Sequence, residues 1–328
     1  MKISVAMCTY NGALYLAEQL KSIANQTRLP NELIVCDDGS TDDTLSILKK
    51  FNESSPFTVK MYCNRLRLGP TKNFEQAIQL CNGDIIFLSD QDDVWLPGKL
   101  EKLMKVFEDY PKAGYVFSDA LVVDNELNPL GYTMWERILF TGRQRLRFRK
   151  GHQLEILLKH NVVTGATMAF RSELRDWILP IPDQWIHDAW IALLVSAITR
   201  NGFFVEEPLI YYRQHPKQLI GGLKVGFFQQ IQKAFSTEGE IYNYEKTIYL
   251  QVIERLKALG INDQYIDKLI KAKIQHLEAR STLYESSFPW RIKIMAQEVV
   301  TRRYHRFSNG WKSIAKDLFV SSSGYQRS

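Results

Sequence analysis

The chain is poor in long apolar runs. The longest, Ala189 to Ile198, lies between Asp188 and Arg200 and falls well short of the ~18 residues a membrane-crossing helix needs. Its opening Ile3-Ser4-Val5-Ala6-Met7-Cys8 has no small-residue cleavage site behind it. The stretch reads as a strand and not as a secretory leader, so a cytoplasmic location is expected, either free or at the inner face of the cell membrane. Cysteine is sparse: Cys8, Cys36, Cys63 and Cys81 show no Cys-x-x-Cys spacing. They read as small buried hydrophobes in a reducing compartment, which argues against a zinc site. No Gly-x-Gly-x-x-Gly follows the first predicted strand, which disfavours a dinucleotide oxidoreductase. No Gly-x-x-x-x-Gly-Lys-Ser/Thr occurs, which excludes a P-loop enzyme. Repeats and low-complexity tracts are missing too, and only Ser321 to Ser328 looks like a loose tail.

What is present supports a proper core. The 328 residues are 45% apolar, enough for one large domain or a domain with an appendage. A net charge of +6 and a pI near 9.0 suit an anionic partner: a nucleotide, a lipid surface or nucleic acid. The basic residues form no aromatic-interleaved platform, so nucleic acid is not expected.

The first half alternates strand and helix. Lys2 to Cys8 forms a strand, and Ala13, Leu16, Leu20, Ile23 and Ala24 have helical spacing. Leu33 to Cys36 is a second buried strand. Ser40 is the expected N-cap of a helix holding Leu45, Leu48 and Phe51. Phe57, Val59, Met61 and Cys63 alternate as a third strand, and Phe74, Ala77, Ile78 and Cys81 line a third helix. Asp84 to Leu88 is a fourth strand, and a helix follows from Gly98 to Tyr110. Turns this short imply an open parallel α/β sheet, with ligands outside the carboxyl ends of the strands. The clusters Thr9-Tyr10-Asn11, Asp37-Asp38 and Asp90-Asp92-Asp93 all fall at those ends.

Three carboxylates at one strand end repel one another unless a cation lies between them. Hard oxygen ligands suit Mg²⁺ or Mn²⁺, which also take up substrate phosphates. A calcium loop starting at Asp90 finds Glu101 at its twelfth position but has Trp95 where a glycine is required. A solvated acidic turn before the helix is a second alternative. A haloacid-dehalogenase-type phosphohydrolase with Asp90 as nucleophile is a third.

Cys8-Thr9-Tyr10-Asn11-Gly12, Asp37-Asp38-Gly39-Ser40, Asn64-Arg65 with Gly69, and Ser89-Asp90-Gln91-Asp92-Asp93-Val94-Trp95 together resemble the family 2 inverting glycosyltransferases of the GT-A fold. The resemblance covers roughly residues 1–222. It implies a Rossmann-like nucleotide-sugar-binding domain, with residues 1–110 binding the donor and 111–222 facing the acceptor. Residues 223–328 would be a mainly helical appendage. By position, the resemblance implies that Thr9, Tyr10, Asn11, Asp38, Arg65, Asn73, Asp90 and Gln91 bind the nucleotide-sugar, and that Asp92 ligates Mg²⁺ or Mn²⁺. Asp188 of Trp185-Ile186-His187-Asp188 would be the general base that takes a proton from the acceptor hydroxyl. Its alternative role is the N-cap of the following helix, for which Asp183 also competes. The family usually shows Glu-Asp here, and His-Asp resembles its rhamnosyltransferase-like members. Tyr211-Tyr212-Arg213-Gln214-His215 with Gly221-Gly222 resembles a loop that closes over the diphosphate, with His215 on the metal or phosphate and Arg213 on phosphate. In the phosphohydrolase the nucleophile motif follows the first strand, not the fourth, which weighs against that alternative.

Gly114 to Ala120, Leu121 to Asn125, Val162 to Phe170 and Phe203 to Ile210 read as strands. The basic stretch Arg143 to Lys150 meets an anionic acceptor or membrane, or is an exposed charged edge. No Gln-x-x-Arg-Trp occurs, so one sugar per encounter is expected, not processive synthesis. Helices are expected from Lys224 onward, around Ile266 to Tyr284 and Trp290 to Phe307. They would contact a membrane surface or a further subunit of a homo-oligomer. The implied partners are a dTDP- or UDP-sugar donor and a glycan or lipid-linked glycan acceptor of bacterial surface polysaccharide. A non-catalytic nucleotide-sugar-binding protein remains the other alternative.

Overall fold

The structure, a computed structural model, describes residues 1–216 and 238–319. The expected Gly221-Gly222 segment, the helix start at Lys224, the 222/223 boundary and the tail from Ser321 lie outside the described residues. Two compact units are present, one of residues 1–154 and 161–215 and one of 155–160 and 216–328.

The first unit is built on a nine-stranded mixed sheet. Strands β1 (Ile3–Thr9), β2 (Glu32–Asp37), β3 (Thr58–Cys63) and β4 (Ile85–Ser89) are parallel, in the order β3-β2-β1-β4. Three of them, β1, β2 and β4, are buried almost throughout, which is why they read as continuous apolar runs and not as alternation. Helices α1 (Leu16–Ala24), α2 (Thr44–Ser54) and α3 (Pro70–Leu80) make the crossovers. Past β4 come β5 (Val94–Trp95), α4 (Lys99–Asp109), β6 (Tyr115–Val123) and β7 (Pro129–Thr133). The unit is completed by α5 (Met134–Arg137), α6 (Gly142–Arg149), the start of α7 (Gln153–Lys159), β8 (Met168–Arg171), α8 (Arg175–Ile178), α9 (His187–Thr199) and β9 (Gly202–Arg213). Strand β8 is antiparallel to both β4 and β6, and β9 runs parallel to β6. The sheet continues past β4, so that loops from both halves meet at the carboxyl end of β4.

Several local expectations are corrected. The two strands Gly114–Ala120 and Leu121–Asn125 are one strand, β6, whose register against β9 shifts between Ser118 and Leu121. Residues 143–150 form helix α6 and not an edge: Thr141 and Gln144 make a reciprocal capping box, and Arg149 pairs with Glu206 at 2.8 Å. Only Met168 onward of Val162–Phe170 is strand, because Gly165–Thr167 turn as a 3₁₀ helix. Ser40 is not an N-cap. Position Asp43 begins α2, and the Ser40 hydroxyl donates to Asp37 at 2.6 Å.

The second unit is helical: α10 (Glu238–Ala258), α11 (Gln264–Leu283), α12 (Phe288–Val300), α13 (Arg303–Phe307) and α14 (Trp311–Leu318). Asp263 caps α11 by accepting from Tyr265 and Ile266. Arg302, with φ of +56°, breaks the expected Trp290–Phe307 helix into α12 and α13. Buried polar side chains tie the bundle together. His276 Nδ1 lies 2.6 Å from Glu298 and its Nε2 2.7 Å from the Ser308 hydroxyl. Arg280 donates twice to Asp317, at 2.8 and 2.6 Å. No helix among the described residues is long and apolar enough to cross a membrane.

Candidate active site

The carboxyl ends of β1 and β2 are laced by side chains. Thr9 Oγ1 donates to Asp37 at 2.7 Å. Asn11, in the left-handed region at φ +48°, donates its N–H to Ser40 and accepts from the Thr41 N–H at 2.8 Å. Asp38 is buried and accepts from Leu68 N, Gly69 N and Asn64 Nδ2 at 2.7, 2.9 and 3.0 Å. It therefore anchors the 64–69 loop and caps no helix. An ionised carboxylate offers about four acceptor sites, so one remains for a ligand N–H. Asn73 is buried and bridges Cys36 O to Asn64. Arg65 is exposed. Arg67, two residues beyond Arg65 and outside the resembling motifs, sets its guanidinium 3.8 Å over the Tyr10 ring.

At the end of β4, Gln91 clamps the first loop to the acidic turn. Its amide accepts from Tyr10 N at 2.9 Å and donates to Tyr10 O at 3.1 Å. Gly12 leaves room for this clamp: a Cβ there would lie 2.1 Å from Gln91 Oε1 and would push the amide off Tyr10. Asp92 Oδ2 meets His215 Nε2 at 2.9 Å, and the imidazole packs on Tyr15 with ring centroids 4.8 Å apart. Arg213 corrects an expectation. It is 1% exposed, donates to Asp92 O at 2.9 Å, Asn125 O and Glu18, and lies over the Tyr15 ring. Its fork is spent on protein, so it shapes the turn that presents Asp92 and is not open to a phosphate.

Asp93 is buried, with Oδ1 accepting from Arg213 N and Oδ2 unpartnered. Lys99, fully buried, is a cation whose charge acts on it. Lys99 Nζ donates to Ala166 O at 2.5 Å and sits 3.5 Å over the Trp95 ring. A lysine in the first turn of a helix opposes the helix dipole, and that conflict was the available signal that its charge serves another purpose. Burial, then Asp92 and Asp90, push Asp93 well above the usual carboxylate range. Burial, then the charges of Asp92 and Asp188, push Asp90 up to about 7.

Asp188 is the second residue of α9, whose cap position is Ile186; neither it nor Asp183, which is exposed, caps the helix. Asp188 Oδ2 accepts from Gly165 N at 2.7 Å and Oδ1 from Asn161 Nδ2 at 3.1 Å. Burial pushes it up to about 6, and these donors pull the other way. Asp188 as a whole is half-buried, and it is burial of the carboxyl that sets the direction of its shift. Asn161 was illegible in sequence, standing 27 residues away with no motif. His187 is buried, stacks on Phe74 at 3.9 Å and has no hydrogen-bond partner on either nitrogen. Burial depresses it to about 3, so the ring is neutral. The Gly165 turn approaches so closely that a Cβ there would stand 2.8 Å from His187 Nε2.

Among the described residues no cluster of three or more His, Cys, Asp or Glu side chains is shaped to hold a metal. Asp92 and His215 offer two ligands. That set fits Mg²⁺ or Mn²⁺, which bind through one or two protein groups and complete their shell with phosphate oxygens and water.

The fold and this edge define an α/β protein that gathers carboxylates and amides where nucleotides bind in such sheets. The Glycosyl transferase family 2 model matches residues 4–177. The dTDP-rhamnosyl transferase RfbG of Shigella flexneri is 39% identical over 254 residues, 74% of this chain and 82% of that protein. An uncharacterised glycosyltransferase of Nostoc is 30% identical over 220 residues, 66% of this chain. This chain spans 65% of the Nostoc protein's length. Residues 1–349 of TarS from S. aureus, solved with UDP-GlcNAc, superpose with a TM-score of 0.57 at 15% identity, covering 97% of this chain and 89% of that one. A Pyrobaculum calidifontis mannosyltransferase, solved with GDP-Man and Mn²⁺, gives 0.53 at 16%, with coverages of 97% and 84%. The chain belongs to glycosyl transferase family 2, and its fold is GT-A with a helical C-terminal region. Membership sets aside the phosphohydrolase alternative.

Proposed function

We propose that the protein transfers one sugar from a nucleoside diphosphate donor to an acceptor hydroxyl with inversion at the anomeric carbon, in assembly of a bacterial surface polysaccharide. The observation that carries this reading is Asp188: a carboxylate with raised basicity, fixed by Gly165 and Asn161, whose charge reaches the Asp90 turn. Asp38 and the Tyr10–Arg67 pair would hold the base, and Asp90 the ribose. Asp92 and His215 would hold a divalent ion, which supplies charge neutralisation for the departing diphosphate. Asp188 then accepts the acceptor's proton as its oxygen attacks from the face opposite the leaving group. L-Rhamnose from dTDP-L-rhamnose is the favoured donor, supported by the Shigella relative's name. The nucleotide-sugars in the complexes of TarS and the Pyrobaculum enzyme support the broader class.

The test is turnover with dTDP-L-rhamnose and a polysaccharide-repeat acceptor, followed across pH, with the product's anomeric configuration read by NMR. Asp188 works only when ionised, so kcat/KM should rise with pH through about 6 and level off above it. The product should have the configuration opposite to that of the donor. Retention of configuration, or a profile flat from pH 5 to 8, would contradict the reading.

A further inference from the structure

We infer that residues 286–319 of the second unit form a docking surface for an anionic lipid bilayer. This stretch holds seven Lys or Arg and two acids, Glu298 and Asp317. Both acids are turned inward. Glu298 is 2% exposed and bonded to His276 and Arg303, while Asp317 is fully buried on Arg280 and Tyr304. What the stretch itself shows to solvent is therefore basic: Lys293, Arg302, Arg306 and Lys312 are all exposed, and the nearest exposed acid in sequence is Glu285, just before it. Large apolar side chains of the same stretch are exposed too. Trp290, Trp311, Phe288 and Phe319 are 58%, 70%, 62% and 82% exposed, with Val300 at 82%. Lys293 lies 4.6 Å over the Trp290 ring.

An anionic bilayer satisfies both features at once. Tryptophan and phenylalanine settle at the headgroup–acyl boundary, and nearby bases meet lipid phosphates. A second copy of the chain would bring like charge against like. Nucleic acid would answer the charge and stack on the rings but leave Ile292, Val300 and Leu318 without apolar partners. Beside the surface, a cavity of about 500 Å³ lined by Lys268, Lys271, Gln275, Thr301, Arg303 and Arg306 offers headgroup phosphates a basic recess. Asp267, also on its wall, is paired to Lys271 at 2.7 Å. The inference is independent of the donor or acceptor.

The experiment is co-sedimentation of the full chain with phosphatidylcholine vesicles, with and without about a third phosphatidylglycerol. The expected result is binding to the anionic vesicles only. The partition coefficient should fall at least about tenfold in ~0.5 M salt, in Lys312→Glu/Lys316→Glu and in Trp290→Ala/Trp311→Ala. All these positions are exposed, and an unchanged circular-dichroism melt certifies the variants' fold. Binding to neither vesicle, equal binding to both, or undiminished binding by the charge-reversed variant would overturn the inference. So would lipid-independent self-association abolished by the tryptophan variant, or preferential capture by duplex DNA that removes the protein from vesicles.

Discussion

Asp188→Asn should lower kcat by about a thousandfold, the range a general base supplies, while the donor's Kd with Mn²⁺ stays within about threefold. Its stability should move in the opposite sense from its activity. The folded-state pKa is raised from 3.8 to about 6, so ionising this carboxylate costs the fold about 3 kcal/mol. The cost vanishes below the unfolded value of 3.8, is still only about 0.5 kcal/mol at pH 4, where the folded group is protonated and the unfolded one about half ionised, and is complete above the folded value. The asparagine escapes it but accepts more weakly from Gly165 N and turns an N–H₂ toward the Asn161 amide, a loss of about 1–2 kcal/mol at every pH. Relative to the parent, the variant should therefore gain about 2–3 kcal/mol between pH 4 and pH 8. Urea melts at both pH values, run beside donor titrations, separate this from a structural role, for which stability and donor affinity would fall together at both.

Replacing Arg213 with Met should disturb fold and site at once. The guanidinium joins Glu18 on α1, the Asn125 carbonyl after β6 and the Asp92 carbonyl after β4. Its removal leaves inward-facing carbonyls without donors and opens a gap above Tyr15. The expected loss is about 3 kcal/mol, or a Tm lower by about 6–12 °C. Donor affinity with Mn²⁺ should drop at least about tenfold as the Asp92–His215 pair loses its backing. Lysine should rescue neither, because one ammonium cannot replace a three-way planar fork. A phosphate-binding arginine would behave differently, giving weaker donor binding, unchanged Tm and partial rescue by lysine.

The parallel half was legible because continuous apolar runs and helical spacing agree with short turns; β1, β2 and β4 fall within a residue or so of expectation. The site's edge was legible for the same reason, since Asp38, Asp90 and Asp92 stand where strands end. What failed was decided by partners distant in sequence. Ser40 has cap chemistry, but Asp37 takes its hydroxyl. Val162–Phe170 is rich in strand formers, yet the turn at Gly165 is held by Asp188, 23 residues on. Arg213 was expected in a loop and looks like a phosphate ligand in sequence, but it is the last residue of β9 and buried, and burial is a property of the fold. Asn161 belongs to no local pattern and Lys99 shows only its conflict with the helix dipole, and packing alone brings them to the carboxylates or the turn that holds them. Gln91 stood among the donor-binding candidates, and both ends of its amide are already spent on Tyr10.

The most direct test of a metal-assisted nucleotide-sugar site is calorimetric titration with dTDP-L-rhamnose, UDP-glucose and the free nucleoside diphosphates, with Mn²⁺ or EDTA, in parent and Asp92→Ala protein. The expected result is saturable binding of one donor and its diphosphate that EDTA abolishes and Asp92→Ala weakens by at least about a hundredfold, the loss of a direct ligand's share. Binding indifferent to EDTA and to Asp92→Ala would contradict the metal–diphosphate site, and no binding of any nucleotide with Mn²⁺ present would contradict the transferase reading itself.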